Sequence, residues 1–519
     1  MTLREKILKT FIVTIREINM HGGSEQFFKK YPVGGMYFFG AKRNVDDNGK
    51  DIGTSTTLEM LKKCRACSAE KLFICADVAD LEGQTVALSQ RSLGAIENED
   101  YAYDYGKIIG MQMVENDIDW VLSPSMDLYL HPAMPLLATG DDPERIARIY
   151  TKVIKGIQDQ GICATAKHFP GMGTSIINMH FAPSNNTLSF EKWMESYGYT
   201  YKEVIKAGVQ SVMTTHTALK AYDNEFTDGY YPIATFSKKL TTNLLKEELG
   251  FSGAVVTDAL IMGGMATGDI VKETVQAFKA GADFLLWPPI EAAEAIEQAI
   301  LSGEIPMSRL DDALERIEKM QNFKKEVLQN RQPATPDSKF ADETMLEIIS
   351  SGIYLLRNDI NLLPIKKDVK DILIIDVTNS YDNESTDMLR KELQDYGFSV
   401  DVKSTDIYDI PSRVCWQKDI DNLYDSYDLI IFNVNMGYAS TWDEGYMLIW
   451  ASHLFGKDKK LIVNYGSPYF EEDYFPEDPT YIEMNCDPSR EAVSALVKKI
   501  VGKSKFVGTS VLRKHTGNA

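Results

Sequence analysis

The sequence predicts an α/β protein: a (β/α)8 TIM-type barrel followed by a smaller doubly wound α/β domain. Three observations carry that expectation. Seven nearly continuous apolar runs alternate with amphipathic helical stretches between residues 10 and 290. Most of those runs end in polar side chains at the same end. A second, shorter alternation follows a Pro-containing linker. At 519 residues the chain also exceeds the roughly 250–300 at which a single core stops growing, so more than one domain is expected.

The runs in the first part are VGGMYFF (33–39), LFICADV (72–78), IDWVLSP (118–124), CATAKHF (163–169), VQSVMTTH (209–216), GAVVTDAL (253–260) and ADFLLWP (282–288). Unbroken apolar runs suit parallel strands that helices cover on both sides. Between them, DPERIARIYTKVIKGIQDQ (142–160) has apolar residues at helical spacing. Seven or eight such units suit a barrel, and an open doubly wound sheet satisfies the same alternation. Gly34 and Gly35, paired inside a strand, point to close packing rather than a phosphate loop. Cys64 and Cys67 form a CxxC flanked by Lys62, Lys63 and Arg65, and read as two ordinary helical cysteines.

The barrel is expected over residues 1–330 and a linker over 331–345, with PATPDS at its heart. The second domain, 346–519, holds the runs DILIIDV (371–377), SVDVKST (399–405), DLIIFNV (428–434), KLIVNYG (460–466) and YIEMN (481–485).

Composition narrows the function. There are 75 acidic and 55 basic residues, a formal net charge of −20, which argues against nucleic acid and against an anionic membrane surface as partners. No stretch approaches the roughly 18–20 apolar residues of a spanning helix, and the N-terminal MTLREKILKTFIVTI has no cleavage-site pattern, so a cytoplasmic location is expected. Six cysteines in a chain of this length fit a reducing compartment. His168 and His180 stand twelve apart with no ligand-spaced partner, so no metal and no cofactor are expected.

Polar residues gather where the barrel reading puts a shared mouth: Asp77 and Asp80, Ser123 and Asp127, Lys167 and His168, His216, and Asp258. Asp258, in FSGAVVTDALIMGG, is either a carboxylate held beside a cavity or the N-cap of the next helix. Asp127 reads as a loop anchor. His216 is expected to line the pocket as a hydrogen-bonding group.

ADLEGQTV (79–86), SPSMDL (123–128), AKHFPGMG (166–173), MTTH (213–216), PIATFS (232–237) and GFSGAVVTDALIM (250–262) occur in an order and spacing that resembles glycoside hydrolase family 3. The likeness is greatest to its NagZ-type β-N-acetylhexosaminidase branch. SSGIYLLRNDINLLPI (350–365) through NYGSP (464–468) is similar to the second domain of two-domain members. The resemblance implies a retaining β-glycosidase with a terminal β-linked sugar on a small glycoside as substrate. Asp258 matches the nucleophile, and His180, on the loop KHFPGMGTSIINMH, matches the acid/base. Asp80, Lys167 and His168 match sugar-binding positions. Imidazole titrates near about pH 6.5, so one such group can give and then take a proton.

The chain departs from that pattern. Asn178, Met179 and His180 stand where the branch has Asp, Ser and His, so the imidazole has an orienting neighbour without charge. Met172 replaces a His, Thr85 stands at an Arg position, and PLLATGDDP (135–143) has no Arg. The default expectation is a β-N-acetylhexosaminidase. The alternatives are a β-glycosidase or phosphorylase of altered sugar preference, or a catalytically weak sugar-binding relative. Glu444 and Asp443, in STWDEGYM, are the fallback acid/base, as in branches that take this group from the second domain.

Overall fold

The computed structural model describes residues 1–38, 53–68, 72–78, 88–130, 138–172, 174–175, 177–226, 229–265, 268–330, 334, 337–378, 384–404, 424–436 and 456–515. They form two compact units. One comprises residues 1–87, 99–131 and 143–341, the other 88–98, 132–142 and 342–519.

The first unit is built on eight parallel strands: Phe11–Thr14, Gly35–Tyr37, Phe73–Ala76, Trp120–Val121, Cys163–Phe169, Ser211–Thr214, Ala254–Thr257 and Leu285–Leu286. The first seven pair in chain order, and the eighth pairs with the first. A parallel bridge between Val256 and Phe284 links the seventh strand to the eighth and brings the ring round. This is the expected barrel, not an open sheet. The seven expected runs each contain one of these strands. The first strand, FIVT, lies between two short helices, Leu3–Leu8 and Ile15–Met20. Three apolar residues and a threonine flanked by helix carry too little period to announce a strand.

One core cluster joins Ile12, Phe73, Trp120, Met213, Val256 and Phe284, all with at most 2% of their surface exposed. Phe73 and Phe284 each lie against Trp120, with ring centroids 5.9 and 5.1 Å away. A side chain on Gly34 would place its Cβ 1.9 Å from the Lys9 carbonyl oxygen, and one on Gly35 2.3 Å from that of Phe73. The paired glycines are therefore a close backbone approach, as expected. The CxxC lies on the helix Gly53–Cys67, where Cys64 is buried against Ser24. The helix Pro143–Gln158 buries Ile146, Ile149, Val153 and Ile157 along one stripe.

The second unit has a six-stranded sheet. In spatial order the strands are Ile353–Asn358, Thr480–Met484, Lys460–Asn464, Leu429–Asn435, Asp371–Thr378 and Ser399–Ser404. Five run parallel, and Ile353–Asn358 pairs antiparallel at the edge. That is doubly wound topology with an added edge strand. Two segments from the first half of the chain fold with this unit. Arg91, 1% exposed, donates to the carbonyls of Gly466 (2.7 Å) and Tyr465 (3.0 Å), and Ser92 to that of Asn485 (2.8 Å). Asp141 accepts the backbone N–H of Arg513 at 2.8 Å. A helix, Ser338–Ser351, runs through the end of the stretch 331–345.

Candidate active site

The carboxyl ends of the strands bring the sequence-predicted polar residues together. Asp258 follows the seventh strand directly. Its N–H donates to the Thr214 carbonyl at 2.8 Å, which fixes it against the end of the sixth strand. Oδ1 accepts the N–H of Ala259 at 2.8 Å, and the Thr215 hydroxyl lies 3.4 Å from Oδ2. The next helix, Ile270–Ala280, is capped by Asp269, so Asp258 is not its N-cap. Burial pushes the Asp258 carboxyl up. The electrostatic influence of the His168 and His216 imidazoles, the Ala259 N–H and the Lys167 ammonium outweighs that burial and holds the group below the ordinary carboxylate value. It is an anion at neutral pH.

Lys167 and His168 come from the end of the fifth strand. The Lys167 ammonium donates to Asp77 Oδ1 at 2.6 Å, and the Tyr37 hydroxyl donates to Asp77 Oδ2 at 2.9 Å. His168 Nδ1 donates to Asp127 Oδ2 at 2.8 Å, which leaves Nε2 available. Asp127 is fully buried and also accepts from Ser125 Oγ (3.0 Å) and the Met172 N–H (2.9 Å). It anchors the end of the fifth strand and the start of the loop that follows, as its sequence context suggested.

His216 is fully buried. Its Nε2 lies 3.1 Å from the Ala259 carbonyl, so that nitrogen carries the proton, and Nδ1 accepts from the Thr235 hydroxyl at 2.9 Å. Burial pushes this imidazole down against the pull of Asp258. Both ring nitrogens are thus held by protein groups, and the ring ties the loop after Asp258 to Thr235.

His180 is exposed on its loop. The Asn178 Oδ1 accepts both its backbone N–H (3.0 Å) and its ring Nδ1–H (2.7 Å). An amide oxygen only accepts, so the neutral ring carries its proton on Nδ1 and keeps a lone pair on Nε2. The loop rests on the one after Asp258: the Gly263 N–H donates to the His180 carbonyl at 2.9 Å. A Cβ on Gly264 would lie 2.3 Å from the Met179 carbonyl oxygen and 2.9 Å from the His216 Cβ. Only glycine lets the two backbones approach so closely.

Asp80, Asp443 and Glu444 lie outside the described residues. The sequence assigned no role to Tyr37, Thr215, Met179 or Trp287, which the structure brings to the site. Trp287, just past the eighth strand, meets the Tyr37 ring edge-on at 5.2 Å. Tyr37 and Trp287 sit at strand ends within the apolar runs VGGMYFF and ADFLLWP, so position alone could have flagged them. Among the described residues no group of three or more His, Cys, Asp or Glu side chains is set to hold a metal ion. No described helix is long and apolar enough to cross a membrane.

An anionic carboxylate held among cationic and hydrogen-bonding groups thus lies at the end of the barrel where this fold does its chemistry. The description "Glycosyl hydrolase family 3 N terminal domain" matches residues 2–320, more than half of the chain, and the chain belongs to that family. It is 28% identical over 380 residues to a beta-N-acetylglucosaminidase/beta-glucosidase of Cellulomonas fimi, a match covering 69% of this chain and 66% of that protein. The matched region thus spans just under two-thirds of that relative's length. Among solved structures, the fold is similar to a beta-glucoside phosphorylase bound to 2FGlc (TM-score 0.80, 22% identity, covering 100% of this chain and 95% of that one). It is also similar to a glycoside hydrolase family 3 beta-N-acetylglucosaminidase from Paenibacillus sp. (TM-score 0.79, 22% identity, covering 99% of each).

Proposed function

We propose that this chain removes a terminal β-linked sugar from a small glycoside with retention of configuration, by default as a β-N-acetylhexosaminidase. Asp258 is the nucleophile and His180 the acid/base. The Asp258 Oδ2, the less tightly hydrogen-bonded oxygen, attacks the anomeric carbon as the bond to the leaving oxygen breaks. Protonated His180 delivers its Nε2 proton to that oxygen. Water then attacks the glycosyl ester, gives a proton back to Nε2, and frees the carboxylate.

The observation that supports this most is the pairing of two loops. The loop carrying His180 is hydrogen-bonded to the loop that continues from Asp258, and Asn178 turns Nε2 free for proton transfer. Lys167 donates to sugar hydroxyls, the available His168 Nε2 hydrogen-bonds one of them, and Asp80 accepts from them. His216 positions the loop after Asp258 from beneath. The Cellulomonas relative's double name agrees with either an N-acetylglucosaminide or a glucoside as substrate.

A second reading rests on Asn178. With no carboxylate beside His180, the acceptor side of the sugar is less repulsive to an anion, and phosphate can replace water in the second step. One experiment separates these readings. Aryl β-N-acetylglucosaminide and aryl β-glucoside are incubated with and without inorganic phosphate, and the first-formed sugar is read by proton NMR. Hydrolysis gives the free β-anomer in both buffers, and phosphorolysis gives a sugar 1-phosphate only with phosphate. A first-formed α-anomer, or no turnover of any aryl β-glycoside, overturns the proposal.

A further inference from the structure

A cavity of about 800 Å³ has a lining that includes none of Asp258, Lys167, His168 and His180 among the described residues. Its volume is that of a small-molecule site. Its walls come from the helices Lys239–Glu248 and Ile270–Ala280 and from Tyr230 and Tyr231. Gly264, in the loop after Asp258, and Pro183, three residues past His180, complete it. Two kinds of group meet there. Tyr230 is 58% exposed, and Tyr231 meets the ring of the equally exposed Phe226 edge-on at 5.0 Å. The Asn243 amide and the Lys238 ammonium also line the cavity, and neither has a side-chain hydrogen bond among the described residues. The Gln276 Nε2 donates to the Phe236 carbonyl at 3.1 Å, which leaves its Oε1 open. Lys239 lies between Asp223 (3.3 Å) and Glu225 (2.7 Å), and Lys279 pairs with Glu304 at 2.9 Å, so the charges of the wall largely offset one another.

We propose that this cavity is an accessory sugar-binding site that holds a neutral saccharide unit away from the site of bond cleavage. The inference goes beyond the reading of Asp258 and His180 and shares with it only the sugar as ligand class. A pyranose has an apolar face of C–H bonds, which suits an aromatic ring, and a rim of hydroxyls that both donate and accept. Amide, carboxylate and ammonium groups on one wall serve such a rim together. A phosphate would meet Asp223 and Glu225 as well as the lysines, and a wholly apolar ligand would strand the amides without partners. Gly264 gives the site a bearing on turnover. It lines the cavity and also packs against the Met179 carbonyl, next to His180.

The test labels the full chain with 3-fluorotyrosine, in an Asp258→Asn background that prevents turnover, and adds cellobiose or N,N′-diacetylchitobiose. The Tyr230 fluorine resonance is assigned by its loss in Tyr230→Phe. That resonance should shift and saturate with one of the two disaccharides. Asn243→Ala should raise the half-saturating concentration about three- to tenfold, the range of one modest hydrogen bond. Lys167→Ala, which alters the cleavage site, should leave it unchanged. No shift with either disaccharide overturns the inference, as does a half-saturation that follows Lys167 and not Asn243. Kinetics on the chain with Asp258 intact then identify the source of the saccharide. If it is a further unit of the substrate, kcat/KM rises with oligosaccharide length, and Tyr230→Ala flattens that rise. If it is a separate molecule, length has no effect, and added disaccharide changes kcat on an aryl β-glycoside unless Tyr230 is Ala. Absence of both effects overturns the accessory role. A saturable shift in a chain that hydrolyses no glycoside leaves the accessory site standing and fells the hydrolase reading; hydrolysis without a shift does the reverse.

Discussion

At the scale of single residues, charge placement decides the chemistry. Asp258 pairs burial, which favours its neutral form, with neighbours that favour the anion, and the neighbours win. His180 has the opposite situation, since it is exposed and its ring partner is the neutral amide of Asn178. An amide oxygen orients the imidazole but stabilises its protonated form less than a carboxylate would. Asn178→Asp should therefore raise the rate on glycosides with poor leaving groups, by about two- to tenfold, and carry activity to higher pH. The pH profile of kcat/KM for an alkyl β-glycoside checks this. An unchanged profile means proton delivery does not depend on that neighbour. Asp258, Lys167, His168 and His180 could all be picked out from motif and position. The Thr215–Met179 contact could not, because it joins two loops thirty-six positions apart and no periodicity reports such a meeting.

At the scale of elements, the site depends on loops that share backbone contacts rather than on one rigid scaffold. Gly263 and Gly264 are the meeting point, and Gly264→Ala tests it. The added methyl has no room beside the Met179 carbonyl and the His216 Cβ. The two loops must part, at a cost of about 1–3 kcal/mol for an overpacked position. Thermal melting should show lower stability, and the loss of rate should be larger for poor than for activated leaving groups, because His180 moves with its loop. Equal losses across leaving groups would mean the loop contact does not place the acid/base. Strands were legible where the apolar run was long enough. CATAKHF coincides with the strand Cys163–Phe169, and GAVVTDAL contains Ala254–Thr257. By period alone FIVT was not, since its flanking helices masked a four-residue run.

For the whole molecule, alternation of runs revealed a barrel and a doubly wound sheet, since each run must be buried and each helix between must cover it. It could not reveal that residues 88–98 and 132–142 fold with the second unit, because pattern reading assigns neighbours in sequence to one body. The consequence is physical. A chain ending at residue 330 loses the carbonyls of Tyr465, Gly466 and Asn485, which take the hydrogen bonds of buried Arg91 and Ser92. An uncompensated guanidinium costs about 3–5 kcal/mol when its partners vanish and it stays buried. The fragment 1–330 is thus expected to be cut by protease within 88–98 and to bind a hydrophobic dye more strongly than the full chain. A fragment as resistant as the full chain would show that this segment is held without the second unit.

The most direct measurement is mass spectrometry of the full chain after incubation with a 2-deoxy-2-fluoro β-glycosyl fluoride, followed by peptide mapping. We expect one stoichiometric glycosyl adduct on Asp258, lost in Asp258→Asn. An adduct on another carboxylate, with Asp258 unmodified, would contradict the account at its centre.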